Sequence, residues 1–334
     1  MKKSLVLLLL LVATVALAQQ PAPPAQAGAQ PGAAQPPAPP KQQKTINDPV
    51  EYRAYIDAIQ APDPEQKAAS LESFLQKYPD SVMKAEATGL LMKTYYQLLP
   101  TDRQKYKQKV IESGQRVLQI DPNDLTALAL LSALSQGEGP NAGQMLQQGR
   151  QYAERGLQQL PVQSKPEGYT DEQWEQFKQQ LRPIFLVTIG QAALQSRDYP
   201  TAQQDLKEVV AAEPNNFNNI YLLALSYLEP NPPDPQGLFW IARTVAMAPP
   251  QMPPAQLEIL QRYGRNKYAH FHGSDEGWDQ LLAVAKTSPT VPPNFTVTPA
   301  PSLAEQAGMM LQKNKPEDMA FADWQFILSS GNQQ

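Results

Sequence analysis

The side chains with the most potential for chemistry lie in one short stretch towards the C-terminal end. His270 and His272 are the only histidines of the 334-residue chain, and Asp275 and Glu276 follow them closely. Imidazole and carboxylate groups are ligands for divalent metals. Histidines two positions apart share a face only in extended chain. Two interpretations stay open, a metal or small-ligand site and a turn between helices in which Asp275 caps the next helix.

No catalytic framework accompanies these residues. The chain has no Cys, which excludes disulfides, thiolate metal sites, cysteine nucleophiles and lipid attachment at a lipoprotein cysteine. It also lacks a G-x-S-x-G elbow, a Gly-rich phosphate loop and an H-E-x-x-H motif. The paired acids Asp171-Glu172 and Glu317-Asp318 stand at predicted helix starts, where the helix dipole stabilises them. We therefore expect no enzyme, no cofactor and no metal centre.

The charge balance bears on the class of partner. Lys and Arg number 28 against 32 Asp and Glu, a formal net charge of −4. No basic surplus is present to neutralise a run of phosphates, so we expect no nucleic-acid partner.

The N-terminus has the pattern of an export signal. Lys2 and Lys3 precede an apolar run over residues 5–18, and Ala16-Leu17-Ala18 ends it with the small residues that a signal peptidase reads. The run has 14 positions, short of the ~20 needed to span a membrane. The pattern predicts a signal peptide over 1–18, a periplasmic protein and no integral membrane span after cleavage. Secretion and a signal anchor are the alternatives.

Residues 19–46 form a segment of a different character. Within it, residues 21–40 contain eight Pro and seven Ala and carry no charge. Such a composition buries too little apolar surface to offset its ordering entropy, which predicts a disordered tether. Its Pro content favours an extended spacer of roughly 3.1 Å per residue. A tail without a role is the alternative.

From Asp48 onwards, apolar residues recur at three- and four-residue intervals, which predicts amphipathic helices. Prolines return at intervals between these segments, and each one is expected to close a helix. They are Pro79, Pro122, Pro161, Pro214 and Pro249.

One unit shows the spacing most clearly, from Pro183 to Asn216. Counted from Pro183, the positions 4, 7, 8 and 11 of a first helix and 20, 24, 27 and 32 around a second helix carry Leu186, Ile189, Gly190, Ala193, Ala202, Leu206, Val209 and Pro214. This resembles the tetratricopeptide repeat. A second copy follows up to Pro249, and weaker fragments begin near residue 70. The resemblance implies an all-α, right-handed solenoid of helical hairpins over 47–250, built from degenerate repeats. An irregular helical bundle is the alternative.

Residues 251–334 form a predicted C-terminal helical extension. Residues 287–301 are rich in Pro and are expected to run extended. The apolar last helix is expected to cap the solenoid or dock in its groove. The four predicted helices are Leu257–Tyr268, Glu276–Lys286, Leu303–Gln312 and Pro316–Leu328.

The resemblance also implies a binding surface, because first helices line the concave groove of tetratricopeptide arrays. Gln191 and Leu225 stand where the family's carboxylate-clamp subtype carries Asn, which argues against a C-terminal acidic ligand. The apolar lining suits an amphipathic helix or an extended apolar peptide. A terminal helix of the chain itself is the alternative occupant. The lining residues are Ile184, Val187, Gln191, Leu194, Asn218, Tyr221, Leu225 and Leu228.

These features together predict a non-enzymatic protein-interaction scaffold in the bacterial cell envelope, with another envelope protein as its partner. The first alternative is a small-ligand or metal-binding envelope protein that uses His270 and His272. The second is a structural part of an outer-membrane assembly or division complex.

Overall fold

The computed structural model describes residues 45–137 and 141–330. Within these ranges the protein is all-helical, with fourteen α-helices, one short 3-10 helix and no β-strand. The predicted signal peptide and residues 19–44 of the predicted tether lie outside the described residues. In the described part of the chain, no helix combines the length and the apolar character needed to cross a membrane.

The helices follow one another through short connections. The 3-10 helix is Pro316–Asp318, and the α-helices are α1 (Pro49–Gln60), α2 (Pro64–Lys77), α3 (Lys84–Leu98), α4 (Arg103–Ile120), α5 (Leu125–Leu134), α6 (Ala142–Gln159), α7 (Asp171–Gln195), α8 (Tyr199–Ala212), α9 (Phe217–Leu228), α10 (Gln236–Ala246), α11 (Pro254–His272), α12 (Trp278–Thr287), α13 (Leu303–Lys313) and α14 (Phe321–Ser330).

The helix ends follow from local sequence. Eight helices begin after a side chain that accepts a hydrogen bond from a first-turn N–H group, which satisfies a donor that the helix leaves free. These caps are Asp48, Asp63, Asp102, Asp124, Thr170, Asp198, Asn216 and Ser302.

The predicted proline terminators are confirmed. Helices α2, α4, α6, α8 and α10 all end two or three residues before the prolines, because the residue before a proline is disfavoured in helical conformation. Every second helix from α2 to α10 therefore closes in the same way. Their last residues are Lys77, Ile120, Gln159, Ala212 and Ala246.

Pro183 is not the start of a helix, contrary to the repeat count from that residue. It lies inside α7, which begins twelve residues earlier at Asp171. A capping box fixes that start: the Gln173 N–H donates to Thr170 Oγ1 at 3.2 Å, and the Thr170 N–H donates to Gln173 Oε1 at 3.0 Å. The start predicted at Asp171-Glu172 is thus confirmed, and α7 continues through the proline.

Three C-terminal helix starts also differ from the predictions. Helix α11 begins at Pro254 rather than Leu257, because a proline is well tolerated in the first turn of a helix, and it continues to His272 rather than ending at Tyr268. Helix α12 begins at Trp278 rather than Glu276, because Gly277 has a φ of 92°, which ends any helical path before it. The segment predicted as one helix from Pro316 splits into the 3-10 turn and α14. Met319, with φ −82° and ψ 135°, is extended and separates the two.

The chain divides into two compact units. The first ends at Ser196 and contains α1–α7, and the second begins at Arg197 and contains α8–α14.

In the first unit each helix packs against the next one along the chain, and α5 also packs against α7. Packing between sequence neighbours is consistent with a helical repeat. Two hydrophobic clusters fill the unit, one drawn from α1–α5 around Phe74 and Leu91, the other from α5–α7 around Trp174 and Phe185.

Polar contacts tie α2, α3 and α4 together at the edge of the first cluster. The Glu72 carboxylate accepts hydrogen bonds from the Tyr95 hydroxyl and from Lys109 Nζ, the latter at 3.1 Å. Lys109 Nζ also lies 4.8 Å from the centroid of the Tyr95 ring. The buried phenol of Tyr95 is thereby satisfied at its polar end.

A second set of carboxylate, tyrosine and lysine contacts of the same kind lies nearer the N-terminus of α4. Glu65 accepts from the Tyr106 hydroxyl and from Lys105 Nζ, the latter at 3.4 Å. Lys105 Nζ lies 4.6 Å from the centroid of the Tyr106 ring. In both sets of contacts a lysine of α4 pairs with a carboxylate of α2.

In the second unit α8 packs on α9, α9 on α10, α10 on both α11 and α12, and α13 on α14. Leu206, Ile220, Leu223, Leu238 and Trp278 are among its buried side chains.

The polar centre of the second unit is Arg243 on α10, which is only 2% exposed. Its guanidinium donates five hydrogen bonds, all to uncharged oxygens. They run to Pro214 O at 3.3 and 2.7 Å, Asn215 Oδ1 at 3.0 Å, Ala285 O at 2.9 Å and Ser288 O at 2.6 Å. Arg243 thus joins the turn before α9 to the C-terminal end of α12, where helix carbonyls lack partners.

Candidate binding surfaces

The second unit presents part of the predicted lining on α9. Asn218, Tyr221 and Leu225 are half-buried, each one turn from the next along the helix. The rings of Phe217 and Tyr221 lie nearly parallel, with centroids 6.5 Å apart. These residues form an aromatic and aliphatic stripe whose outer surface stays open to solvent.

Leu228 does not belong to this stripe. It is 4% exposed and packs against α10, where a Cβ atom added to Gly237 would lie 2.7 Å from Leu228 Cγ. Leu228 is therefore a core residue, because the helix reaches its C-terminal end against α10 at this position. Its inclusion in the binding lining was wrong.

Three further residues near the C-terminal end of α9, namely Tyr263, Glu229 and Lys267, make polar contacts that the sequence did not indicate. The Tyr263 hydroxyl on α11 donates to Glu229 Oε1 at 3.1 Å. Lys267 Nζ pairs with the same carboxylate oxygen at 3.4 Å and lies 5.4 Å from the Tyr263 ring centroid. The signal available was the i, i+4 spacing of Tyr263 and Lys267 on a predicted helix.

Tyr221 and Tyr263 are both held in the neutral, protonated form. Burial raises the pKa of Tyr263 above its usual range, and the Glu229 carboxylate and the Tyr221 phenol add to the shift. Burial also raises the pKa of Tyr221, with a further contribution from Glu229. We call Phe217, Tyr221, Leu225 and Tyr263 the aromatic stripe. It offers ring faces and apolar edges, which suit an apolar side chain of a partner.

The first unit holds the other predicted lining residues, all on α7. Ile184, Val187, Gln191 and Leu194 are half-buried, and Ile184 packs partly against the α5–α7 cluster. The Gln191 Oε1 atom is buried without a hydrogen-bond partner among the described residues. This face of α7 is therefore mainly apolar, and the Gln191 side-chain oxygen on it accepts no hydrogen bond from the described residues.

The histidine stretch ends α11 rather than forming an extended chain. His270 and His272 lie in the last turn of that helix, and Gly273 ends it with a φ of 93°. His272 Nδ1 lies 2.7 Å from the carbonyl oxygen of Thr298, and its ring lies 5.4 Å from that of Tyr268.

The nearby carboxylates serve a different partner. Arg265 Nη1 pairs with Asp275 Oδ2 at 2.9 Å, and Arg265 Nη2 pairs with Asp279 Oδ1 at 3.0 Å. Asp275 does not cap α12, whose N-cap is Gly277 with no side-chain hydrogen bond. Over residues 45–137 and 141–330, no group of three or more His, Cys, Asp or Glu residues could hold a metal ion. The structure does not gather His270, His272, Asp275 and Glu276 into one site.

The paired acids considered for catalysis lie at helix beginnings. Asp171 and Glu172 occupy the first turn of α7, and a hydrogen bond from Lys165 holds the pKa of Asp171 below its usual range. Glu317 and Asp318 lie in the exposed 3-10 turn.

Comparison with known proteins gives no relative from which a function can be transferred. No family model, curated protein or solved structure matches the chain.

Proposed function

We propose that this chain is an exported, non-enzymatic scaffold of tetratricopeptide type, which binds an apolar segment of another bacterial envelope protein. In this proposal residues 1–18 are the signal peptide, 19–46 the tether, and 47–250 a right-handed solenoid of helical hairpins. Two observations support it: helices pack on their sequence neighbours from α1 to α7 in the first unit and from α8 to α10 in the second, and every second helix from α2 to α10 closes before a proline.

The aromatic stripe of the second unit is the observation that carries the binding proposal. Tyr221 and Leu225 on α9 and Tyr263 on α11 keep part of their apolar surface open to solvent. Complete burial of one such side chain contributes ~1.5–3 kcal/mol. Three or four of them together leave room for micromolar affinity after the cost of association. The half-buried face of α7 is a second surface of the same kind in the first unit.

The test is affinity capture from an envelope extract with the full chain as bait. Leu225→Asp places a charge in the stripe, where its desolvation opposes binding of an apolar segment. Leu225 is half-buried and lies outside the core, so helicity measured by circular dichroism is expected to survive. Leu228→Asp is unsuitable, because it would bury a carboxylate in the core.

Val284→Asp is the matched control. Val284 is an exposed aliphatic residue of α12 in the same unit, 43% accessible. We expect the wild type and Val284→Asp to retain a partner that Leu225→Asp loses. Equal capture by all three chains would overturn the binding role of the stripe.

A further inference from the structure

Helix α4 in the first unit is strongly basic within an acidic protein. It carries Arg103, Lys105, Lys107, Lys109 and Arg116 against the single acid Glu112, a sum of +4 in a chain of net charge −4. Such a concentration of one sign on one helix attracts the opposite sign.

Four of the five basic residues of α4, all except Arg116, fall into two sets. Lys105 and Lys109 face α2 and are neutralised there by Glu65 and Glu72. Arg103 and Lys107 lie on another side of the helix, and neither forms an ion pair within the described ranges. Lys107 Nζ lies close to Gly137, where an added Cβ atom would be 3.3 Å away. Among the residues that the structure describes, no carboxylate neutralises the charge of either side chain.

These two cations border a shallow depression of about 470 Å³ between α4 and α6. Ile111 and Met145 supply apolar lining, and the amides of Gln104 and Gln108 complete the rim. Burial, and then the neighbouring Arg103 charge, lowers the pKa of Lys107. The ammonium is thus partly desolvated beside a like charge, and an anion would relieve both effects.

The position of Arg103 also works against the helix that carries it. It is the first residue of α4, and no acid lies in that first turn. A cation at a helix N-terminus opposes the helix dipole. Asp102, the N-cap residue, offsets part of this unfavourable interaction, because its Oδ1 atom accepts a hydrogen bond from the Lys105 N–H at 2.9 Å.

We propose that this depression binds an acidic amphipathic segment of a partner protein. Arg103 and Lys107 are four residues apart, so they lie one helical turn from each other. They match two partner carboxylates about one turn apart, while a large apolar partner side chain packs on Ile111 and Met145. This surface lies in the first unit and is independent of the aromatic stripe.

The test measures binding of two synthetic peptides to the full chain by fluorescence anisotropy. The first is a labelled, acetylated helix of about fourteen Ala and Gln residues, with two Glu four positions apart and a Leu between them. The second replaces both Glu by Gln. We expect the first peptide to bind at least about tenfold more tightly, since it alone forms two charge-assisted contacts. Its affinity should also fall with salt.

The chain offers a closely matched pair of variants. Arg103→Gln/Lys107→Gln and Lys105→Gln/Lys109→Gln remove the same charge from the same helix, on its two sides. The first pair should weaken peptide binding about tenfold or more, whereas the second should change it less than about twofold. Met145→Gln should weaken binding without altering the difference between the two peptides.

Three results would overturn the proposal. One is equal weakening by both double variants, which would indicate attraction by net charge alone. Another is equal binding of the two peptides. The third is binding to phosphatidylglycerol vesicles, dependent on Arg103 and Lys107, without binding of the acidic peptide.

Discussion

Gly156 of α6 lies directly against the ring of Phe185 of α7. A Cβ atom added to Gly156 would be 2.3 Å from Phe185 Cζ, closer than any ordinary contact. Phe185 is fully buried in the α5–α7 cluster, so its ring has no space into which it could move. The absence of a side chain at residue 156 therefore sets how closely α6 approaches α7.

Replacement of this glycine is expected to destabilise the first unit. Gly156→Ala should lower the free energy of unfolding by about 1–3 kcal/mol, because overpacking forces the backbone or the ring to shift. Urea unfolding followed by circular dichroism measures the change. Gly89→Ala is the control, since a Cβ there meets nothing within 4 Å. It should stabilise α3 by about 0.5–1 kcal/mol. Equal effects of the two substitutions would contradict the close approach.

Alkaline stability is expected to depend on Tyr95. Burial first, and then the hydrogen bond to the Glu72 carboxylate, raises the pKa of Tyr95 to about 12 from its usual 10. The raised pKa means that the folded state keeps a proton that the unfolded chain loses. The Tyr95 phenol therefore makes its full contribution to the free energy of unfolding below pH 10, and this contribution is lost as the pH rises from 10 to 12.

Urea unfolding at several pH values above 10 tests this dependence. The wild type should lose up to about 1.4 kcal/mol per pH unit more than Tyr95→Phe, which has no phenol to ionise. Glu72→Gln should flatten the dependence only in part, since burial is the larger cause of the shift. Identical slopes for wild type and Tyr95→Phe would show that Tyr95 ionises alike in both states.

Arg243 is expected to be the most sensitive polar residue of the second unit. Arg243→Met leaves the carbonyl oxygens of Pro214, Ala285 and Ser288 without their donor. We expect a loss of about 2–4 kcal/mol in the free energy of unfolding, because buried acceptors are costly when unsatisfied. Arg243→Lys should recover little, since one ammonium cannot reach both ends of the planar guanidinium.

Arg262→Met is the control for this substitution. Arg262 lies on α11 with 63% of its side chain exposed and approaches Glu258 only to 3.9 Å. Its replacement should change stability by less than about 0.5 kcal/mol in the same urea experiment. A similar loss in both variants would mean that the five hydrogen bonds of Arg243 contribute nothing specific.

The sequence predicted the helical class and most helix ends, because both depend on local properties. A proline two residues beyond a helix acts through its own ring, so Pro79, Pro122 and Pro214 could be interpreted without knowledge of any tertiary contact. Pro183 was misassigned because a proline is common in the first turn but is tolerated elsewhere at a cost of one hydrogen bond. The Thr170 and Gln173 capping pair was the better local signal for the start of α7.

The candidate binding surface was predicted only in part. Helical spacing selects a face, and it selected Tyr221 and Leu225 on the open side of α9. It could not tell that Leu228, on the same predicted face, turns into the contact with Gly237 of α10. Tyr263 and Lys267 were missed because no repeat pattern marks α11. Their role depends on Glu229, which lies 34 and 38 residues away in sequence.

Arg243 also determines how the second unit would respond to a pulling force. Neighbour-to-neighbour arrays can peel apart one hairpin after another from an end. The Arg243 guanidinium donates hydrogen bonds to the carbonyl oxygens of Pro214, 29 residues before it, and Ser288, 45 residues after it. The chain between Pro214 and Ser288 is thereby closed into a loop, which cannot lengthen until the hydrogen bonds of Arg243 break. Under tension it would resist as one block and then release roughly 250 Å of extended chain in a single step.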